Sequence, residues 1–237
     1  MIIISYVFDN DKPIYLQLEE IIKKEIFKGE LLPSSKIPSV RDFALKYQVN
    51  PNTMQKALQG LEEEGFIYTV RTSGKYVTED REFILKEKRL VAKTLYQDFI
   101  NNLKSIIEET NFEIDIYKID NEEIKLTSHG ISAHAAHPDL GINSISRLII
   151  ILDKIFKVYG YTIDLFDFFT KYIGLQFDGK NLGIEFEDES GKLTLNVGYF
   201  GIENGFMKIK MNLRVPVHID ITKIGAAFIK ATCEYIN

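Results

Sequence analysis

Asn52, Thr53, Gln55 and Lys56 interleave with Met54, Ala57 and Leu58 in the stretch that follows Asn50-Pro51. On a helix, that interleaving puts the amides and the cation on one side and the apolar residues on the other. Asn and Gln each hold a donor beside an acceptor, which matches the adenine edge in a DNA major groove, and Lys reaches guanine or phosphate. The same quartet also suits a merely solvated helix face, and spacing alone does not choose between the two. Ser39 and Arg41, at the start of the preceding element, offer backbone amides and a guanidinium for a phosphate. Arg71, Ser73 and Lys75 fall where a hairpin tip would lie. A second set consists of His129, His134 and His137, with His218 far downstream. His134 and His137 share a face only on a helix, and Gly130 and Pro138 instead make the segment a strand end and loop. No metal is expected there. His129 and His137 read as loop residues and His218 as a strand-end surface residue.

These residues belong to a chain of 237 residues, long enough for two domains. Its 45% hydrophobic and 27% charged content is that of a soluble globular protein with real cores. The apolar run Leu148 to Leu152 is closed by Arg147 and Asp153, whereas a membrane span needs about 20 apolar residues. No membrane contact is expected. Met1-Ile2-Ile3-Ile4 has no basic flank and no small-residue cleavage site, so it is not read as a signal peptide. The lone cysteine, Cys233, excludes an internal disulfide framework and a Cys-based zinc site, and a cytoplasmic location is expected. The net charge of −5 excludes attachment to nucleic acid by bulk basicity. Any DNA contact must come from a local cluster of cations.

The first third of the chain must supply that cluster. Pro13, with Ile14, Leu18, Ile21, Ile22 and Ile26 at three- and four-residue spacing, predicts a helix over 13–28, and Gly29 is its C-cap. A turn-rich connection through Pro33 and Pro38 leads to Ser39, an N-cap for a short helix from Val40 to Tyr47. Asn50 and Pro51 start a third helix with Met54, Ala57, Leu58 and Leu61 inside, and Gly65 ends it. Two short strands, Phe66 to Val70 and Lys75 to Thr78, flank Arg71-Thr72-Ser73-Gly74. Three helices followed by a hairpin form a winged helix-turn-helix pattern.

The motifs sharpen this. Pro13-Ile14-Tyr15 with Gln17-Leu18, Lys36-Ile37-Pro38-Ser39-Val40-Arg41, Val49-Asn50-Pro51-Asn52-Thr53 and Leu61-Glu62-Glu63-Glu64-Gly65-Phe66-Ile67 occur in that order. Over residues 8–80 the chain resembles the DNA-binding domain of GntR-family transcription regulators, and its Asn-Pro-Asn-Thr turn is similar to the YtrA-like subfamily. The resemblance implies double-stranded DNA as partner and a homodimer reading two half-sites. It makes the outer quartet a base-reading face and Arg41 a DNA contact.

A long helix is expected over 81–110, from Phe83 and Leu85 to Ile106 and Ile107. Beyond it, 112–117 and 123–127 alternate as strands, and helices follow around Leu148 to Phe156, within 159–175 and from about Asp220. Three strings stand out there: Ser132-Ala133-His134-Ala135 running on to Pro138, Gly141 and Asn143; Asp188-Glu189-Ser190-Gly191 running on to Asn196 and Gly198; and Asn212, Arg214 and Pro216. In that order they resemble the lid domain of PepV-like zinc dipeptidases over residues 112–237. The resemblance implies that His134 matches the residue that polarises a scissile carbonyl, and Arg214 the one that holds a substrate carboxylate. The family's zinc-bearing domain has no counterpart in the chain, so neither catalysis nor a cofactor is expected.

The expected architecture is multidomain, α and α+β. Residues 1–80 form a winged helix-turn-helix, 81–111 a connecting and dimerisation helix, and 112–237 an α+β sandwich, its mostly antiparallel sheet covered by helices on one face. The expected function is a sequence-specific transcription regulator whose C-terminal domain dimerises, senses a ligand, or both. Sensing would have His134, Asn212 and Arg214 converge on a small carboxylate effector such as an amino acid or dipeptide, and otherwise the three are retained ancestry without function. The alternative is a fragment or accessory subunit of a zinc dipeptidase, fused to a DNA-binding domain and needing a partner with the metal site.

Overall fold

The computed structural model describes residues 8–118, 123–134 and 137–236. The Met1-Ile2-Ile3-Ile4 stretch lies outside them, as do Ala135 and Ala136 of the string around His134. The chain divides into two compact units, Met1–Gln97 and Asp98–Asn237. No helix among the described residues is long and apolar enough to cross a membrane.

The first unit holds α1 (Ile14–Lys28), α2 (Val40–Tyr47), α3 (Pro51–Glu63), β1 (Ile67–Val70), β2 (Gly74–Val77) and the beginning of α4 (Arg81–Thr110). Its helix ends follow from local chemistry. Gly29 closes α1 in the left-handed region at φ 77°. Ser39 and Asp42 form a reciprocal capping box on α2, while the Asn50 side chain accepts the Asn52 N–H ahead of Pro51 on α3. Leu18, Ile22, Phe43, Tyr47, Met54, Leu58 and Leu61 close over one core. Two buried acids accompany them. Glu25 accepts a hydrogen bond from Tyr47 Oη (2.7 Å) and pairs with Lys46. Glu19 of α1 lies against Gly60 of α3, so close that a Cβ at Gly60 would overlap the Glu19 carboxylate. Burial, followed by the nearby Glu64, pushes the Glu19 carboxyl above the usual carboxylate range.

The second unit holds the remainder of α4, then β3 (Ile114–Lys118), β4 (Ile124–Ser128), α5 (Ser144–Val158), α6 (Asp164–Tyr172), β5 (Glu187–Asp188), β6 (Gly191–Lys192), β7 (Thr194–Glu203), β8 (Phe206–Arg214) and α7 (Ile221–Ile236). The antiparallel pairing is as expected, but the single sheet is not. Among the described residues the strands form separate two-stranded ladders, β3–β4, β5–β6 and β7–β8. The cores explain the separation. Ile114 joins Leu103, Ile106, Ile151 and Ile155, whereas Leu195 and Val197 join Ile149, Phe166, Phe169 and Ile224. Helix α5 thus contributes to both clusters, which accounts for its run of consecutive apolar residues. The helices are therefore not confined to one face of a shared sheet. On α4, Leu103 and Ile106 are buried while Leu85, Leu90, Val91 and Leu95 are exposed.

Asn143 ties this unit together. Its Oδ1 accepts the Ser146 N–H (2.9 Å) at the start of α5, and its Nδ2 donates to Asn196 Oδ1 (2.7 Å) and Val197 O (2.8 Å) on β7. Replacing Asn143 by Ala removes a cap and leaves a strand carbonyl without its donor, at a cost of about 1–3 kcal/mol. Denaturant unfolding of Asn143→Ala, followed by a probe in the second unit, should show a lower midpoint; an unmoved midpoint would show that these bonds do not stabilise the unit.

Candidate nucleic-acid interface

Helix α3 has two chemically distinct sides. Met54, Ala57, Leu58 and Leu61 are buried, Asn52, Gln55 and Lys56 are exposed, and Thr53 is half-buried between them. The amides of Asn52 and Gln55 are therefore presented outward near the N-terminus of the helix, where a base edge would be read. The Lys56 ammonium lies 3.8 Å from the centre of the Tyr15 ring, a cation–π contact that directs it toward the start of α1.

The start of α2 lies just before α3 in the chain. Ser39 Oγ donates to Asp42 Oδ2 (2.6 Å) and accepts the Asp42 N–H (3.3 Å), so the Ser39 hydroxyl is committed to capping. Arg41 is exposed in the first turn, where helix amides have no intrahelical acceptor. A guanidinium beside such amides suits a phosphate oxygen.

The wing turns through Val70 to Gly74, with Thr72 and Gly74 at positive φ and the Ser73 N–H bonded to Val70 O (3.0 Å). Arg71 is exposed at this tip, and the Ser73 hydroxyl shares a hydrogen bond with Tyr76 Oη (2.6 Å). Lys75 departs from expectation. Residues alternate sides along a strand, and Lys75 falls on the same side of β2 as Val77, which is buried in the core. Its ammonium accordingly pairs with Glu62 of α3 and donates to Thr69 Oγ1 (2.8 Å). Those partners place Lys75 on the inner face of the wing and not at its tip. The hydrogen bonds from Lys75 and Thr69 also hold the Glu62 carboxyl below the usual carboxylate range.

Two of the expected effector residues line different cavities. His134 lines one of about 350 Å³ together with Ser132, Asn143 and Asn196. Arg214 lines another, of about 780 Å³, with His137, Asp178 and Lys192, and Pro138 borders both. Asn212 faces Asn196 across the β7–β8 ladder, its amide over Gly198. His134, Asn212 and Arg214 are thus not gathered in one cavity. Among the described residues, no group of three His, Cys, Asp or Glu side chains could hold a metal ion.

His129 proves to be more than a loop residue. Its Nε2 lies 2.7 Å from Asp115 Oδ2, which also accepts from Tyr117 Oη (3.0 Å), so the end of β4 is fastened to β3. The Asp115 hydrogen bond raises the His129 pKa above 6.5, while the bonds from His129 and Tyr117 hold Asp115 low. A folded-state pKa raised in this way adds stability while His129 is protonated, and that contribution is lost as pH rises through the raised value. An NMR titration should place the His129 midpoint above 6.5, and Asp115→Asn should bring it back toward the ordinary value.

The model for bacterial regulatory proteins of the gntR family matches residues 14–77. The uncharacterized HTH-type transcriptional regulator YhcF of Bacillus subtilis (strain 168) is 34% identical over 99 residues, covering 42% of this chain and 82% of that protein. The HTH-type transcriptional repressor YtrA of the same organism is 41% identical over 78 residues, covering 33% of this chain and 60% of the repressor. Among solved structures, a GntR family transcriptional regulator from Listeria monocytogenes is 42% identical, with a TM-score of 0.40, covering 45% of this chain and 90% of its own.

Proposed function

The chain belongs to the gntR family of bacterial regulatory proteins, and we propose that it controls transcription by docking α3 in the major groove of an operator. It is a DNA-binding regulator of GntR type. In this reading Asn52, Thr53, Gln55 and Lys56 address base edges, the Ser39–Arg41 turn holds one phosphate strand, and Arg71 and Ser73 approach from the wing. Lys75 is left out of the contact set because Glu62 engages it. The observation that carries the reading is the outward, polar N-terminal half of α3 above a fully buried inner stripe, next to an exposed Arg41.

The finer parts rest on the same premise. Two copies would read two half-sites, one recognition helix each. The second unit would pair the copies and sense an effector, consistent with its resemblance to dipeptidase lids. A small carboxylate such as an amino acid or dipeptide would be held by Arg214 in the larger cavity, and His134, which lines the other cavity, is left out of that contact set together with Asn212. The protein would work in the cytoplasm, where its operator is. Effector and operator would be coupled only if the ligand favours one dimer arrangement over another.

Binding of the full chain to the fragment upstream of its own gene, titrated at two salt concentrations, tests this reading. Arg41→Ala should weaken binding to every sequence and reduce the salt slope by about one unit, as loss of a phosphate contact does. Gln55→Ala should instead narrow the gap between operator and unrelated duplex. Unchanged affinity and slope in Arg41→Ala would place the interface elsewhere on the molecule.

A further inference from the structure

Between α1 and α2 the chain runs antiparallel to β2 and adds a third lane to the wing. The Ser34 N–H donates to Val77 O (3.1 Å), the Val77 N–H to Ser35 O (3.0 Å) and the Ile37 N–H to Lys75 O (3.0 Å), with Lys36 standing opposite Tyr76. Ile37 is buried in the core, so its neighbour Lys36 faces the other way. Tyr76 in turn opposes Tyr68, and their rings stack at 5.9 Å. Lys36, Tyr76 and Tyr68 therefore form one row across the outer face of the wing, the side opposite Lys75.

Gly74 follows on that same face, two residues from Tyr76. Its bare backbone gives the lysine room: a Cβ at Gly74 would stand 3.2 Å from Lys36 Cε and 3.8 Å from Nζ. The ammonium thus lies over the turn that carries Arg71 and Ser73. Lys36 is exposed, and its ammonium has no carboxylate partner among the described residues. Glu62, the acid nearest in the wing's own network, faces inward on Lys75.

We infer that Lys36 is the phosphate-gripping cation of the wing, taking the DNA backbone beside the turn in the role that the inward Lys75 does not fill. This inference rests on the regulator reading above. A lysine suits it as a point charge on a long stem, able to follow a phosphate without reading sequence.

The test uses the full chain with two duplexes, the fragment upstream of its own gene and a shuffled duplex of equal length and composition, each titrated over a range of salt concentrations. Lys36→Ala and Lys36→Gln should weaken binding to both duplexes by a similar factor, about three- to tenfold, and shrink the salt slope by about 0.9. Lys36→Arg should keep the wild-type slope, and so should Lys75→Ala. Circular dichroism melts identify which variants are folded, and the Ala and Gln replacements back each other up. Slopes left unchanged by Lys36→Ala and Lys36→Gln, while wild type binds and Arg41→Ala weakens it, would overturn this inference alone. The slope lost in Lys75→Ala instead would do the same. Wild-type protein without salt-dependent binding to either duplex would overturn the regulator reading and this inference together.

Discussion

The inner stripe of α3 decides what its outer face can do. Met54, Ala57, Leu58 and Leu61 are closed off by α1, α2 and β1, and together they fix the rotation of the helix about its axis. Turning α3 by one residue, about 100°, would carry Gln55 inward and Met54 into water. Burying an amide without partners while exposing a core residue is penalised on both counts. The polar edge offered to a ligand is therefore set by packing within the protein, before any ligand arrives. Asn50, Pro51 and the left-handed Gly65 (φ 85°) confine the same helix along its length.

A chain with a net charge of −5 has to separate its charges locally in order to approach a polyanion. The first unit does so by giving some cations internal work. Lys46 goes to Glu25, Lys23 to Glu64 and Lys75 to Glu62, while Lys56, over the Tyr15 ring, stays exposed on the outer side of α3. Each pairing also neutralises an acid, and Arg41 and Arg71 remain exposed at the α2 start and the wing tip. Partly exposed pairs of this kind contribute little to stability. Their consequence lies in where the remaining positive charge is left.

Much of the first unit could be read from its sequence because its signals are local. A cap, a proline at the first helical position, a terminal glycine and a three-to-four spacing each act within a few residues, and α1, α2 and α3 begin and end close to where those signals lie. The orientation of Lys75 was legible in principle from strand alternation, with Val77 inside, but the outer cation at Lys36 was not. Its place depends on a turn-rich segment pairing with β2 across distant sequence, and no periodicity marks such a pairing. The second unit shows the same limit. Asn204-Gly205, at φ 54° and 80°, is a strong hairpin signal between β7 and β8, yet only the packed clusters reveal that this hairpin does not extend β3–β4. The two cavities that separate His134 from Arg214 likewise depend on packing between segments far apart in the chain.

The contact of Glu19 with Gly60 has a consequence on another timescale. Helix α3 carries a glycine in its interior, where alanine would ordinarily strengthen a helix. Here a methyl group would collide with a carboxylate that is itself enclosed between α1 and α3. A larger residue at position 60 thus requires the carboxylate at position 19, the far end of a flexible side chain, to move from where it lies. Across a lineage of such proteins the two sites should exchange together, alanine appearing at one where a shorter side chain appears at the other, so that a contact between two helices is written as a paired substitution in descent.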